Sequence, residues 1–185
     1  MVAVKVVQPI KAVAKVRELE QVLRERSFRD YMMFELGIYS GLRISDILRL
    51  RVGDLRGREY FLLREQKTGK GKRLAIHPKL KQELGEFLAN RADDEFVFKS
   101  RVGENRAITR EMAWGILSEA AGQVGLTEIG THSLRKTFGY HTYMNSGKNI
   151  GLVQSLLNHS SSRETLRYIG IEQDSMDEAV CGLSY

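Results

Sequence analysis

The 185-residue sequence predicts a mainly α-helical domain with one small antiparallel β-sheet. Three observations carry that expectation. Apolar residues recur three and four positions apart through most of the chain, as in Val13, Val16, Leu19, Val22 and Leu23. Two short stretches, Glu59 to Glu65 and Arg73 to His77, flank a turn that holds Gly69 and Gly71. The hydrophobic share of 42% and only two prolines are ordinary for a helix-rich globular protein.

Taken in order, residues 1–11 alternate apolar and basic side chains and read as a linker remnant ahead of one domain, 12–185. The first helix runs from Val13 to Leu23. Ser27 suits the N-cap of a second, Phe28 to Tyr39, whose many apolar residues predict burial. Gly41 ends that helix, and a short one from Ser45 to Leu50 carries Asp46 one turn from Arg43. Val52 to Leu55 reads as a possible third strand beside the hairpin. Pro78 opens a helix from Lys79 to Leu88 with Leu80, Leu84, Phe87 and Leu88 on one face. Glu95 to Lys99 is extended, and Arg101 to Ala107 is a polar loop. Thr109 caps Arg110 to Val124, where Ala113, Ile116, Leu117, Ala120 and Val124 form the stripe. Gly130 precedes a helix that reaches Met144. Shorter helices follow at Ile150 to Leu157, Ser162 to Tyr168 and Ser175 to Val180.

Length and composition narrow the function. The chain is long enough for one domain with a real core. Its net charge of +6 favours a polyanionic partner. The single Cys181 excludes an internal disulfide framework and a multi-cysteine zinc site, and reads as a small apolar residue. The four histidines lack a paired metal-binding spacing with a nearby acid, so no metal is expected. The N-terminus lacks the apolar core of a secretion signal, and no stretch is apolar enough to span a membrane; a soluble cytoplasmic protein is expected.

The chemistry concentrates between Thr131 and Tyr168. The stretch opens Thr131-His132-Ser133-Leu134-Arg135, continues through Asn158-His159-Ser160-Ser161, and closes on Thr165-Leu166-Arg167-Tyr168. A phenol attacks poorly until a base takes its proton and cations neutralise the target. Arginine suits a phosphate, because its planar fork makes two parallel hydrogen bonds to non-bridging oxygens. Histidine can donate to a phosphate or accept the phenolic proton. This inventory fits phosphoryl transfer to a tyrosine. His132 and Arg135, three apart, share a helical face. Arg43 sits at a helix start, where a positive group opposes the dipole unless an anion or Asp46 compensates. Between the arginines lies the basic turn Gln66-Lys67-Thr68-Gly69-Lys70-Gly71-Lys72-Arg73, in which residue chemistry alone does not choose one cation. His77 and His141 read as structural.

Arg43, Lys67, His132-x-x-Arg135, His159 and Tyr168, in that order, resemble the catalytic domain of the tyrosine recombinases, the phage integrases and Xer-type resolvases. The resemblance covers roughly residues 12 to 180 and implies that family's mainly helical fold. It makes Tyr168 the nucleophile, Arg43 and Arg135 the phosphate clamp, and Lys67 the general acid. It makes His132 a base or phosphate donor, His159 a second donor, and Asp46 a support behind the site. Lys70, Lys72 and Arg73 read as DNA contacts. The implied activity is metal- and ATP-independent site-specific recombination of double-stranded DNA, among protomers on paired sites, through a 3′-phosphotyrosyl intermediate. Type IB topoisomerase-like strand relaxation and a non-catalytic DNA-binding domain of this fold are the alternatives. Asn158 stands where the family most often has glycine, and about ten residues precede the first helix where most family members carry a separate DNA-binding domain. The tail from about residue 172 offers Met176, Ala179, Val180 and Leu183 as an apolar stripe for packing on a neighbouring protomer.

Overall fold

The computed structural model describes residues 7–64, 71–172 and 180–183. Helix α2 (Phe28–Ser40) is apolar on nearly every side, and Tyr31, Met32, Met33, Phe34 and Leu36 are all buried. A helix of that composition belongs in the centre, and α1 (Val13–Arg26), α5 (Pro78–Phe87) and α7 (Thr131–Asn145) pack around it. The approach of α7 is close: a Cβ at Gly37 would lie 2.5 Å from Leu134 Cδ1. α1 contributes Leu19 and Leu23, the inward residues of the expected stripe. At the end of α2, Gly41 adopts a left-handed cap with φ 60°. Its missing side chain also makes room for the ring of Phe138, which a Cβ would meet at 2.2 Å.

Two four-residue helical turns follow, α3 (Ile44–Ile47) and α4 (Val52–Leu55). α4 corrects the expectation of a third strand. Val52 and Leu55 are both buried, which a helical turn achieves at a spacing of three and a strand does not. Asp54 Oδ2 accepts from the Arg51 amide at 2.8 Å, capping the turn. Among the described residues, the strand-like pairing of this segment is an isolated bridge between Arg51 and Phe96.

The sheet has two antiparallel strands, β1 (Tyr60–Arg64) and β2 (Gly71–Ala75), with Phe61 opposite Leu74 and Leu62 opposite Arg73. Phe61 and Leu74 point into the core, while Leu62 is 74% exposed on the other face. On that outer face the guanidinium of Arg73 lies 4.0 Å from the Tyr60 ring centroid. Lys67 and Lys70, in the turn, lie outside the described residues.

His77 accepts from the Lys79 amide at 3.3 Å and stacks near Tyr39, so it is the N-cap of α5. α6 (Arg110–Gln123) is capped by Thr109, whose hydroxyl accepts from the Met112 amide at 3.2 Å. α8 (Ile150–Leu157) and α9 (Ser162–Tyr168) close the domain over α7. They do so through a small cluster of their own, Val153, Leu157 and Ile169, with Phe138 and the Tyr168 ring against it. Gly139 permits the contact, because a Cβ there would sit 2.7 Å from Ile169 Cγ2.

The segment before α1 is part of the packing. Ile10 is buried; its amide donates to Thr137 Oγ1 at 2.8 Å, and its carbonyl meets His141 Nε2 at 2.9 Å. This is the structural role expected of His141. In the tail, Met176 and Ala179 lie outside the described residues, and Val180, Leu183 and Cys181 are exposed. Among the described residues no helix is long and apolar enough to cross a membrane.

Candidate active site

Arg135 is the centre of the site and is only 3% exposed. One Nη donates to the carbonyl of Gly41 and the other to the carbonyl of Leu157. Those carbonyls lie at the C-terminal ends of α2 and α8, where helix dipoles place partial negative charge. A buried guanidinium is costly unless its donors are met. Two helix ends meet two of these donors, and the guanidinium also lies in hydrogen-bonding reach of Tyr168.

The other groups are brought to Arg135 by neighbouring turns. Arg43 is the N-cap of α3 with extended backbone, two residues past the left-handed Gly41. Asp46, on α3, is 6% exposed. His132 lies in the first turn of α7 and is exposed, one turn ahead of Arg135. His159 follows Asn158, the C-cap of α8, which has φ 50° and ψ 42°. That left-handed geometry favours glycine and next asparagine, so the departure from the family's glycine keeps the backbone turn.

A second set of hydrogen bonds fixes the His159 ring. Its Nδ1 lies 3.2 Å from Thr165 Oγ1, and Thr165 Oγ1 itself donates to the Ser161 carbonyl at 2.9 Å. With that hydroxyl proton committed, Thr165 accepts from Nδ1–H, which sets the orientation of the ring. The turn between α8 and α9 is held by Ser161, whose hydroxyl accepts from the Glu164 amide at 3.1 Å. Glu164 Oε2 in return accepts from the Ser160 hydroxyl at 2.9 Å and its amide at 3.3 Å.

Tyr168 is the last residue of α9. The rings of His159 and Tyr168 meet edge to face, with centroids 4.9 Å apart and planes at 80°. Burial pushes the phenol pKa up, and the guanidinium groups of Arg135 and Arg43 pull it back. A cavity of about 280 Å³ is lined by Arg43, His132, Arg135, Asn158, His159 and Tyr168, with Ser160 and Glu164 at its wall. A larger one of about 680 Å³ shares Arg43, His132 and Arg135 and extends to Ser45, Arg110 and Trp114. The structure thus unites five of the six expected catalytic residues. Arg73 lines neither cavity. Lys72 contributes its backbone to β2, and Lys67 and Lys70 lie outside the described residues. Among the described residues there is no group of three His, Cys, Asp or Glu side chains that could hold a metal ion.

Sequence reasoning missed Arg110, Trp114 and Glu164. Signals were present for two of them. Trp114 falls off the apolar stripe of its helix, and Ser161-Ser162-Arg163-Glu164 is a capping-box pattern.

Residues 12–174 match the phage integrase family. The chain belongs to that family. Among proteins similar to this integrase-family chain is the probable integrase/recombinase YoeC of Bacillus subtilis (strain 168), 46% identical over 170 residues, covering 92% of this chain and 93% of that one. Tyrosine recombinase XerA of Pyrococcus furiosus is 30% identical over 169 residues, covering 90% of this chain but 58% of its own length. The chain thus spans nearly all of one relative and little more than half of the other. The crystal structure of XerA recombinase superimposes with a TM-score of 0.71 at 17% identity, over 96% of this chain and 65% of that one. XerH site-specific recombinase bound to difH substrate, a pre-cleavage complex, gives 0.71 at 18% identity, over 89% and 50%. At those identities the structures show a shared fold, that of tyrosine recombinase catalytic domains.

Proposed function

We propose that this chain cuts and rejoins double-stranded DNA at specific sites, with Tyr168 as nucleophile, acting with other protomers on paired sites in the cytoplasm. The observation that carries the reading is the 280 Å³ cavity, where Arg43, His132, Arg135, His159 and Tyr168 converge from four separate segments. Membership of the phage integrase family and the complex of XerH with its difH substrate support it.

A phosphodiester is anionic and its phosphorus poorly electrophilic. Arg43 and Arg135 would bind the two non-bridging oxygens and offset the charge that grows on them in the transition state. His159, in its doubly protonated imidazolium form, would add a donor through Nε2. Tyr168 Oη attacks phosphorus in line while its proton passes to His132. The bond to the 5′ oxygen breaks, and that oxygen takes a proton from Lys67. The products are a 3′-phosphotyrosyl link and a free 5′-hydroxyl, so the energy of the phosphodiester is kept. The 5′-hydroxyl of a partner strand reverses the step, which requires neither ATP nor a metal ion. The larger cavity, with Trp114 and Arg110, would take DNA beside the reacting phosphate.

Labelled duplexes from a randomised pool, incubated with the protein and denatured, should yield a protein–DNA adduct at Tyr168. Tyr168→Phe should fold and bind DNA as the wild type does but give no adduct. Two differently marked duplexes carrying the captured site should exchange ends. Relaxation of supercoils without exchange would instead indicate a topoisomerase-like enzyme, and no adduct at all a DNA-binding domain.

A further inference from the structure

We propose that Lys136 is a positioning residue for the nucleophile: its ammonium group, held over the face of the Tyr168 ring, fixes the ring plane and favours the ionised phenol during attack. The inference rests on Tyr168 being the nucleophile.

Lys136 directly follows Arg135 on α7, so the two side chains leave the helix about 100° apart and act from different directions. Arg135 is in hydrogen-bonding reach of Tyr168, whereas the Lys136 Nζ lies 5.3 Å from the ring centroid. With the His159 ring nearly perpendicular to the same ring, the nucleophile is held by an imidazole and an ammonium as well as by its own helix. Among the described residues no carboxylate pairs with Lys136. A half-buried ammonium loses hydration, and the negative face of an aromatic ring returns part of that loss.

The same geometry bears on reactivity. A phenolate ring carries more electron density than a phenol ring, so a cation over its face is bound more strongly once Tyr168 has lost its proton. Lys136 takes up and gives up no proton in the step; the phenolic proton goes to the base and the new bond is from Tyr168 Oη to phosphorus. The effect requires the ammonium form, and burial pulls the Lys136 pKa below the usual lysine range. The other charged and titratable groups lining the pocket are Arg43 ahead of α3, His132 and Arg135 on α7, His159 between α8 and α9, and Glu164 on α9. These are common to all the variants compared below.

The test measures single-turnover covalent capture of a cleavable duplex from the pool, across a range of pH, for the wild type, Lys136→Met and Lys136→Arg. Each adduct is mapped by peptide mass spectrometry, and folding is checked by circular dichroism. Methionine keeps the apolar stem, and arginine keeps a charge that alkali does not remove. At neutral pH Lys136→Met should capture about tenfold more slowly with unchanged DNA affinity. The deficit should shrink as pH rises and the wild-type lysine loses its charge. Lys136→Arg should match the wild type at neutral pH and overtake it in alkali. A wild-type rate for Lys136→Met, or a deficit in both variants that is constant with pH, overturns the proposal while leaving Tyr168 as nucleophile. An adduct mapped to another residue overturns both.

Discussion

Arg135 and Leu157 are joined by a hydrogen bond from a guanidinium nitrogen to the last carbonyl of α8. Because the same guanidinium also holds Gly41 at the end of α2, the residue proposed as a phosphate clamp is also a tie between two helix ends. Arg135→Ala would leave two inward-facing carbonyls unmet. It should lower stability by about 3 kcal/mol in urea unfolding as well as abolish covalent capture. Arg43→Ala removes a half-buried N-cap side chain and should abolish capture at a cost below about 1 kcal/mol. Equal destabilisation by the two would refute the double role.

Asn158 sits in left-handed backbone, where a β-branched side chain is strained. Asn158→Gly should unfold within about 0.5 kcal/mol of the wild type, whereas Asn158→Val should lose about 1–2 kcal/mol and slow capture by displacing His159. Thermal melts and single-turnover capture on both variants check this.

The protein has one tryptophan, Trp114, 56% exposed in the wall of the larger cavity and packed over the start of α7. Its emission should change when Tyr168→Phe protein binds duplex DNA, and iodide should quench it less in the complex. If about six phosphates are contacted, affinity measured this way should fall by ~10³ between low and moderate salt. Binding without a change in emission would place the DNA elsewhere.

Expelling the 5′ oxygen needs a proton, which a thiolate leaving group does not. Lys67→Ala should cleave ordinary DNA slowly yet recover on a substrate with sulfur at the scissile 5′ position. Arg43→Ala should not recover, since its work on the non-bridging oxygens is unchanged. Rescue of Lys70→Ala or Lys72→Ala in place of Lys67→Ala would move the acid along the turn.

Away from the site, Glu35 is fully buried on α2, with Lys79 Nζ 2.8 Å from its Oε2 and 3.2 Å from Glu20 Oε1. Burial first, and then the nearby Glu20 carboxylate, push its pKa from an ordinary 4.5 up to about 8. The folded chain therefore holds a proton that the unfolded chain releases. The associated stability is full below about pH 4.5 and is lost as pH rises through about 8. Glu35→Gln should gain on the wild type across that window, by on the order of a few kcal/mol at the alkaline end. Urea unfolding at several pH values reads the difference.

How much of this is readable in the sequence depends on how local the cause is. α8 and α9 can be bounded to the residue, because each opens on a side-chain cap, Asn149 and Ser161, and keeps a helical apolar period. Val52 to Leu55 is too short to show a period, so a turn with two buried ends passes for a strand. The residue types that line the smaller cavity, and their order in the chain, are legible through the family pattern. The tie of Arg135 to Gly41 and Leu157 is not, since it exists only once α2, α7 and α8 have packed. The contact of Lys136 with Tyr168 depends in the same way on how α9 seats against α7.

The clasp of Ile10 on Thr137 and His141 has a mechanical consequence. Tension on the chain ahead of Ile10 meets the bond from the Gln8 amide to the Glu128 carbonyl and then α7 before it reaches α1, because the Ile10 amide and carbonyl are both anchored on α7. α7 also carries His132 and Arg135. A copy tethered to a bead by its amino end would therefore be loaded on the helix proposed to grip the phosphate, and pulling force would become a handle on catalysis without touching the DNA.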